Sequence, residues 1–209
     1  MRKLLFALAA SAAVLASGAA SADTLDFETP DVAAFERIGP SYAGYTFTNW
    51  AVVDGPGYGA SGYANVITSG QQSACGCASD FGEIYSSISN GTAFDLIGGN
   101  FASAWNDGAT LLVEGYRGAS LLYSQSFVLN TTGPSALTFG FTGIDLVNFS
   151  ISGGTPSGLS GSGNYFGVDD LQLAASSGVP EPATWALMIM GFGAAGAALR
   201  RKKATVSYA

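Results

Sequence analysis

Two cysteines one residue apart, Cys75 and Cys77 in SACGCASD, are the groups of this chain most ready for covalent chemistry. In an oxidising compartment an even count suggests a disulfide. A C-x-C bridge closes a very small ring and is expected to be strained and readily reduced. A pair of thiols or a bridge between two chains fits the same residues, whereas a soft-metal or redox centre needs more ligands than the chain offers. Histidine is absent from all 209 residues. Ser-His-Asp and Cys-His catalysis, His-ligated zinc and the commonest general base are therefore ruled out. What remains for catalysis is a pair of carboxylates of the kind that hydrolyses glycosides, such as Glu83 and Glu114, but no two acids stand out by their spacing. The expectation is a protein that is not an enzyme.

Aromatic side chains offer a second chemistry, stacking on sugar rings. Trp50 and Trp105 sit in strand-like runs and belong to a core, while Tyr58 and Tyr63 lie in a glycine-rich loop and are expected to be exposed. The charge balance narrows the ligands further. Between residues 23 and 178 only Arg37 and Arg117 are cationic, against fourteen acids, a net of −12. Such a surface repels phosphate backbones, so no nucleic-acid partner is expected; it suits solubility outside the cell and, where acids cluster, divalent cations.

The elements that position these groups read as strands. TLDFE (24–28), YTFTNWAVV (45–53), AFDLIGGNFASAW (93–105), TLLVEGY (110–116), SLLYSQSFVL (120–129), ALTFGF (136–141), VNFSIS (147–152) and YFGVDDLQL (165–173) are short runs rich in aromatic and β-branched residues, separated by glycine. Several alternate: Leu121, Tyr123, Phe127 and Leu129 are expected on one face, as are Leu137, Phe139 and Phe141, and Val147, Phe149 and Ile151. No stretch of this region shows sustained helical periodicity. The expected fold is all-β, an antiparallel β-sandwich of jelly-roll type. EGYRGASLLY predicts a hairpin turning at Arg117-Gly118; residues 54–82, dense in Gly, Ser and Ala, predict a long loop or a pair of weak edge strands; residues 153–164 predict a flexible connection.

Both ends carry a signal. Residues 1–22 have a positive head (Arg2, Lys3), an apolar centre and Ala20-Ser21-Ala22 at the cleavage positions, the pattern of a secretory signal peptide that leaves an exported domain over 23–178. Near the other end Pro180-Glu181-Pro182 precedes an uncharged run, 183–199, and a basic cluster, Arg200-Arg201-Lys202-Lys203, followed by a short tail, 204–209. Seventeen residues of helix reach about 25 Å against a hydrocarbon core of about 30 Å. The run is expected to be a marginal transmembrane helix, with Trp185 at one interface and the cations on the cytoplasmic side. GFGAAG (191–196) matches G-x-G-x-x-G, but no βαβ unit surrounds it, so no nucleotide site is expected.

The order PEP, apolar segment, basic cluster, with PEPATWA at its head, resembles the PEP-CTERM sorting signal in its PEPxxWA form, over residues 179–203. The resemblance implies recognition and processing near Pro180, Glu181, Pro182 and Trp185 by an exosortase, a membrane-embedded protease of Gram-negative bacteria. It implies a precursor held at the inner membrane with a periplasmic domain, then delivery to the cell surface or extracellular matrix, in association with exopolysaccharide and biofilm. The middle domain distantly resembles sandwich-type carbohydrate-binding modules, with Asp26-Phe27-Glu28 early and Phe166-Gly167-Val168-Asp169-Asp170-Leu171 late. In those the first and last strands pair with calcium nearby, which implies Ca2+ ligands among Asp26, Glu28, Asp169 and Asp170. Successive residues of a strand face opposite ways, so at most one of Asp169 and Asp170 is expected to point inward. The alternative function is thus a calcium-assisted carbohydrate-binding module contacting extracellular polysaccharide through Tyr58 and Tyr63.

Overall fold

Alternation of apolar and polar residues produces ten strands in a computed structural model, which describes residues 22–176 and 188–196. They are β1 (Ala22–Leu25), β2 (Phe35–Arg37), β3 (Thr46–Thr48), β4 (Trp50–Asp54), β5 (Gln72–Gly76), β6 (Ser86–Ser103), β7 (Asn106–Arg117), β8 (Ser120–Leu129), β9 (Ser135–Pro156) and β10 (Phe166–Ala175). Every pairing is antiparallel, in the order β2-β4-β5-β10-β6-β9-β7-β8, with β1 added to β10 and β3 to β6. First and last strands do pair, Asp23 opposite Leu173 and Leu25 opposite Leu171.

The two longest strands make the sandwich, because each serves both layers. The start of β6 (86–89) and the second part of β9 (146–156) pair with each other and with β3, β7 and, through β7, β8. Their other parts, 94–101 and 135–144, pair with each other and carry β10 and its neighbours. Register slips between Ser89 and Phe94 mark the bend in β6. The expected single strand 45–53 is two strands, one in each layer. Asn49, at φ 66°, breaks it, and Asn is among the few side chains that tolerate that left-handed backbone. The opposite error occurs in β9, where the two runs expected at 136–141 and 147–152 are one strand.

Between the layers lies an aromatic core centred on Trp50, whose ring meets Phe47, Phe149 and Phe166 edge-on at centroid distances of 5.5–5.6 Å. Its indole N–H donates to the Ser87 carbonyl at 3.0 Å. Residues 54–82, expected as a long loop or a pair of weak edge strands, instead fold into helical turns α1 (Gly55–Tyr58) and α2 (Gly62–Asn65), the interior strand β5 and a 3-10 turn at Ala78–Phe81. Part of this segment builds a second, smaller core of Ala51, Val53, Tyr63, Cys75, Cys77, Ala104 and Trp105. β4 and β5 are consequently buried on both faces.

β5 reads QSACG and carries none of the bulky residues that advertise a strand, yet it is fully buried between β4 and β10. Small residues are required there: a Cβ on Gly76 would run into the Phe166 ring. In β8 a register shift opposite Gly115 and Tyr116 leaves Leu122 without a partner. That bulge carries Leu121 off the face it was expected to share with Tyr123, Phe127 and Leu129, and it is 51% exposed. The β7–β8 hairpin turns at Gly118-Ala119, one residue later than expected.

Of the expected membrane span 183–199, residues 188–196 are helical. Nine residues rise about 14 Å, half of a hydrocarbon core. Among the described residues no helix is long and apolar enough to cross a membrane, so the expected span is not supported. The rest of that segment, with Pro180, Glu181, Pro182, Trp185 and the basic cluster, lies outside the described residues, as does the signal peptide up to Ser21.

Replacing Gly76 by Ala should destabilise the domain by about 1–3 kcal/mol in urea unfolding. Gly133→Ala, whose added methyl meets nothing within 4 Å, should change it little.

Candidate functional site

A carboxylate with no water around it must find donors inside the protein. Asp169 on β10 is fully buried, and it finds them in the segment between α2 and β5. Its Oδ2 accepts the backbone N–H of Thr68 at 2.7 Å and of Ser69 at 2.9 Å; its Oδ1 accepts the Asp170 N–H at 2.8 Å. Asp170 was expected to face the other way. It adopts φ 49° where β10 slips against β6 between Asp169 and Gln172, which cancels the alternation. Its carboxylate turns to the same segment, accepting the Thr68 hydroxyl at 2.8 Å and the Ser69 hydroxyl at 2.9 Å. Asn100 completes the cluster by donating to Thr68 Oγ1 at 2.8 Å.

Glu28 grips the same segment from its other end. Its Oε1 accepts the backbone N–H of Gln71 at 2.9 Å and Gln72 at 2.7 Å. Gly70, at φ 56°, lets the chain pass directly against that carboxylate, where a Cβ would collide with it. Asp26 accepts the N–H of Glu28 at 3.2 Å, and the buried Gln72 ties Val32, Phe27 and Pro30 to β5. Nearby, burial pushes the Tyr42 hydroxyl up to about 12, helped by the charges of Asp26 and Glu28. The four acids proposed as metal ligands thus fall at two ends of one loop. Asp169 meets its burial with amide donors, a different solution from a cation. Among the described residues no three His, Cys, Asp or Glu side chains converge as a metal site.

The aromatic candidates separate. Tyr63, expected in solvent, is 2% exposed. Its ring meets Trp105 edge-on at 5.7 Å, and its hydroxyl lies 3.2 Å from Cys75 Sγ, a disulfide sulfur with no hydrogen to give. Burial holds that hydroxyl well above its ordinary value. Tyr58 does reach solvent, 41% exposed, braced edge-on by Tyr63 at 5.4 Å and by Trp105 at 6.1 Å. An open hollow of about 420 Å³ is lined by Gly55, Pro56, Gly59, Ala60 and Ala64 of the α1–α2 region and by Ile67 and Gln71 of the segment that follows, with no titratable side chain; Gly59 directly follows Tyr58 in the chain. Cys75 and Cys77 are joined to each other and fully buried. Glu83 lies exposed beyond the 3-10 turn, and Glu114 on β7 accepts the Tyr116 hydroxyl at 3.1 Å; neither lines the hollow. Thr68, Ser69, Asn100 and Gln72 escape the sequence, where nothing distinguishes them from other loop or strand polar residues.

Residues 178–202 match the PEP-CTERM protein-sorting motif. No curated protein matches the chain. Among solved structures, TmCBM61, a carbohydrate-binding module in complex with β-1,4-galactotriose, is similar at 10% identity and a TM-score of 0.34, over 64% of this chain and 90% of that one. At that distance the likeness says nothing about what this chain binds.

Asp169→Asn should cost about 1–3 kcal/mol in urea unfolding, because both oxygens accept N–H groups and either orientation of the amide sets donor against donor. In the wild type, burial raises the Asp169 carboxyl above its ordinary value while the N–H bonds from Thr68, Ser69 and Asp170 pull it partway back. The folded state then holds this proton more tightly than the unfolded chain. The resulting stability is full below the ordinary aspartate range and is lost as pH rises through the raised value. A carboxyl-carbon NMR titration of Asp169 should show its midpoint above that ordinary range.

Proposed function

We propose that this chain is an exported, non-enzymatic surface or matrix protein whose β domain is the delivered product and whose C-terminal segment is an address removed by an exosortase. The observation that carries this reading is a boundary. β10, the last strand of the sandwich, ends at Ala175, and the sorting motif begins at residue 178. Cutting at the Pro-Glu-Pro segment would leave the ten strands intact, as a processing signal requires. The precursor is held at the inner membrane through this segment until it is cut, and the released domain joins the exopolysaccharide matrix. The lack of histidine and the untitratable hollow fit a role without turnover.

A second reading, a calcium-assisted carbohydrate-binding module, draws on the exposed Tyr58 ring, next in the chain to Gly59 of that hollow. A sugar face stacked on Tyr58 would leave its hydroxyls free for polar groups of the neighbouring loop.

Replacing Pro180, Glu181 and Pro182 together by alanine should leave the chain full-length in the membrane fraction, with its circular dichroism unchanged. Arrival outside the membrane at the wild-type mature mass would contradict the proposal. For the second reading, retention on purified matrix polysaccharide should fall roughly three- to tenfold with Tyr58→Ala, and should fall with a chelator if calcium assists. Absence of retention in the wild type would remove that reading and leave the first untouched.

A further inference from the structure

β8 is the last strand of its layer. It pairs with β7 on one side only, and among the described residues nothing hydrogen-bonds the backbone along its other edge. Free edges invite pairing with another chain, and folded proteins usually block them with charge or proline. This one has neither, and its one bulge, at Leu122, lies near the start of the strand and leaves Tyr123 to Leu129 in regular register. Ser120–Leu129 is ten residues without a charge in a domain of net charge −12, and Leu121, Leu122 and Val128 are 49–66% exposed.

The sequence of the strand carries more information than its exposure. From Leu121 to Leu129 it reads LLYSQSFVL, which is the same by residue class in either direction about Gln125. Two copies placed antiparallel about a two-fold axis through Gln125, perpendicular to the sheet, set like against like. Tyr123 then faces Phe127 of the other copy, Ser124 faces Ser126 and Gln125 faces itself, all within the regular part of the strand beyond the bulge at Leu122. Such a two-fold keeps the faces of the sheet in register, as a continuous sheet demands. Aromatic cross-strand pairs of this kind stabilise antiparallel ladders.

Charge argues for the same occupant. Two copies of a strongly acidic domain repel over most of their surface, so their close approach needs a strip without carboxylates. β8 is such a strip, with its row of unused backbone donors and acceptors along it. Alternative partners of opposite charge would be drawn to the acidic faces instead.

We infer that β8 is a self-association edge, joining two copies of this chain by a β8–β8 ladder centred on Gln125. The inference goes beyond the sorting and sugar-binding readings and depends on neither.

The test uses the mature protein recovered from cells. Sedimentation across a concentration series should show a monomer–dimer equilibrium. Ser124→Glu with Ser126→Glu puts acids directly opposite each other on both sides of the axis and should weaken the dimer at least about tenfold. The lysine counterpart, Ser124→Lys with Ser126→Lys, should form a mixed dimer with the glutamate variant, a gain that misfolding would not produce. Gln125→Cys should cross-link to itself on mild oxidation, because facing residues bring their Cβ atoms within about 5.5 Å. A wild type that stays monomeric at every concentration overturns the proposal. So does a dimer that the glutamate variant leaves equally tight, or a Gln125→Cys chain that stays uncrosslinked while dimeric.

Discussion

Nearly every carboxylate in this domain must do without a cation. With fourteen acids against two arginines between residues 23 and 178, ion pairs are not available to organise it. Arg117 and Asp145, 3.9 Å apart, make the one ion pair among the described residues, and Arg37 lies instead over the Phe81 ring at 4.0 Å. Backbone N–H groups take the place of cations. Asp26, Glu28, Asp54, Asp95, Asp107, Asp145 and Asp169 each accept at least one. Most of these bonds fasten a turn or loop to the strand framework: Asp95 holds the bend of β9 at Gly143, and Asp107 holds the β8–β9 connection at Thr131. The N–H and hydroxyl of Thr131 accordingly keep the Asp107 carboxyl below its ordinary value, while burial moves Asp169 the other way.

This constraint changes how the acids bear on function. The four acids named as calcium ligands accept hydrogen bonds from Thr68, Ser69, Gln71, Gln72 and Glu28 in this fold. Glu28, Asp169 and Asp170 anchor the segment between α2 and β5, and α2, just ahead of it, packs Tyr63 against β4 and β5, where Tyr63 braces the Tyr58 ring. Uncharged surface on this acidic domain includes the Tyr58 ring, the hollow lined by Gly55, Pro56 and Gln71, and the open edge of β8.

The strands richest in aromatic and β-branched residues were legible in the sequence because burial of one face imposes alternation. Phe139 and Phe141, and Val147 and Phe149, are buried as their spacing requires. Legibility failed where a different force governed. β5 is hidden by the need for small residues under Phe166, so its composition resembles a loop. Tyr63 looks exposed in a glycine-rich stretch, but it caps the second core with Trp105, a contact between residues 42 positions apart that no local pattern encodes. The convergence of Asp169 and Asp170 depends on a register slip in β10, and alternation alone predicts the reverse. The C-terminal signal was the most legible feature, since it is a linear motif whose residues and their order are themselves the pattern.

The sheet closes at Ala175 and the matched sorting motif begins at residue 178, and under the proposed function these are two separable parts of one chain. The separation is tested most directly by the intact mass and C-terminal peptide of the protein recovered from membrane, cell-surface and medium fractions. A chain ending near residues 180–183 and found outside the membrane is the predicted result. A chain that retains residues 200–209 and remains in the membrane fraction would contradict it.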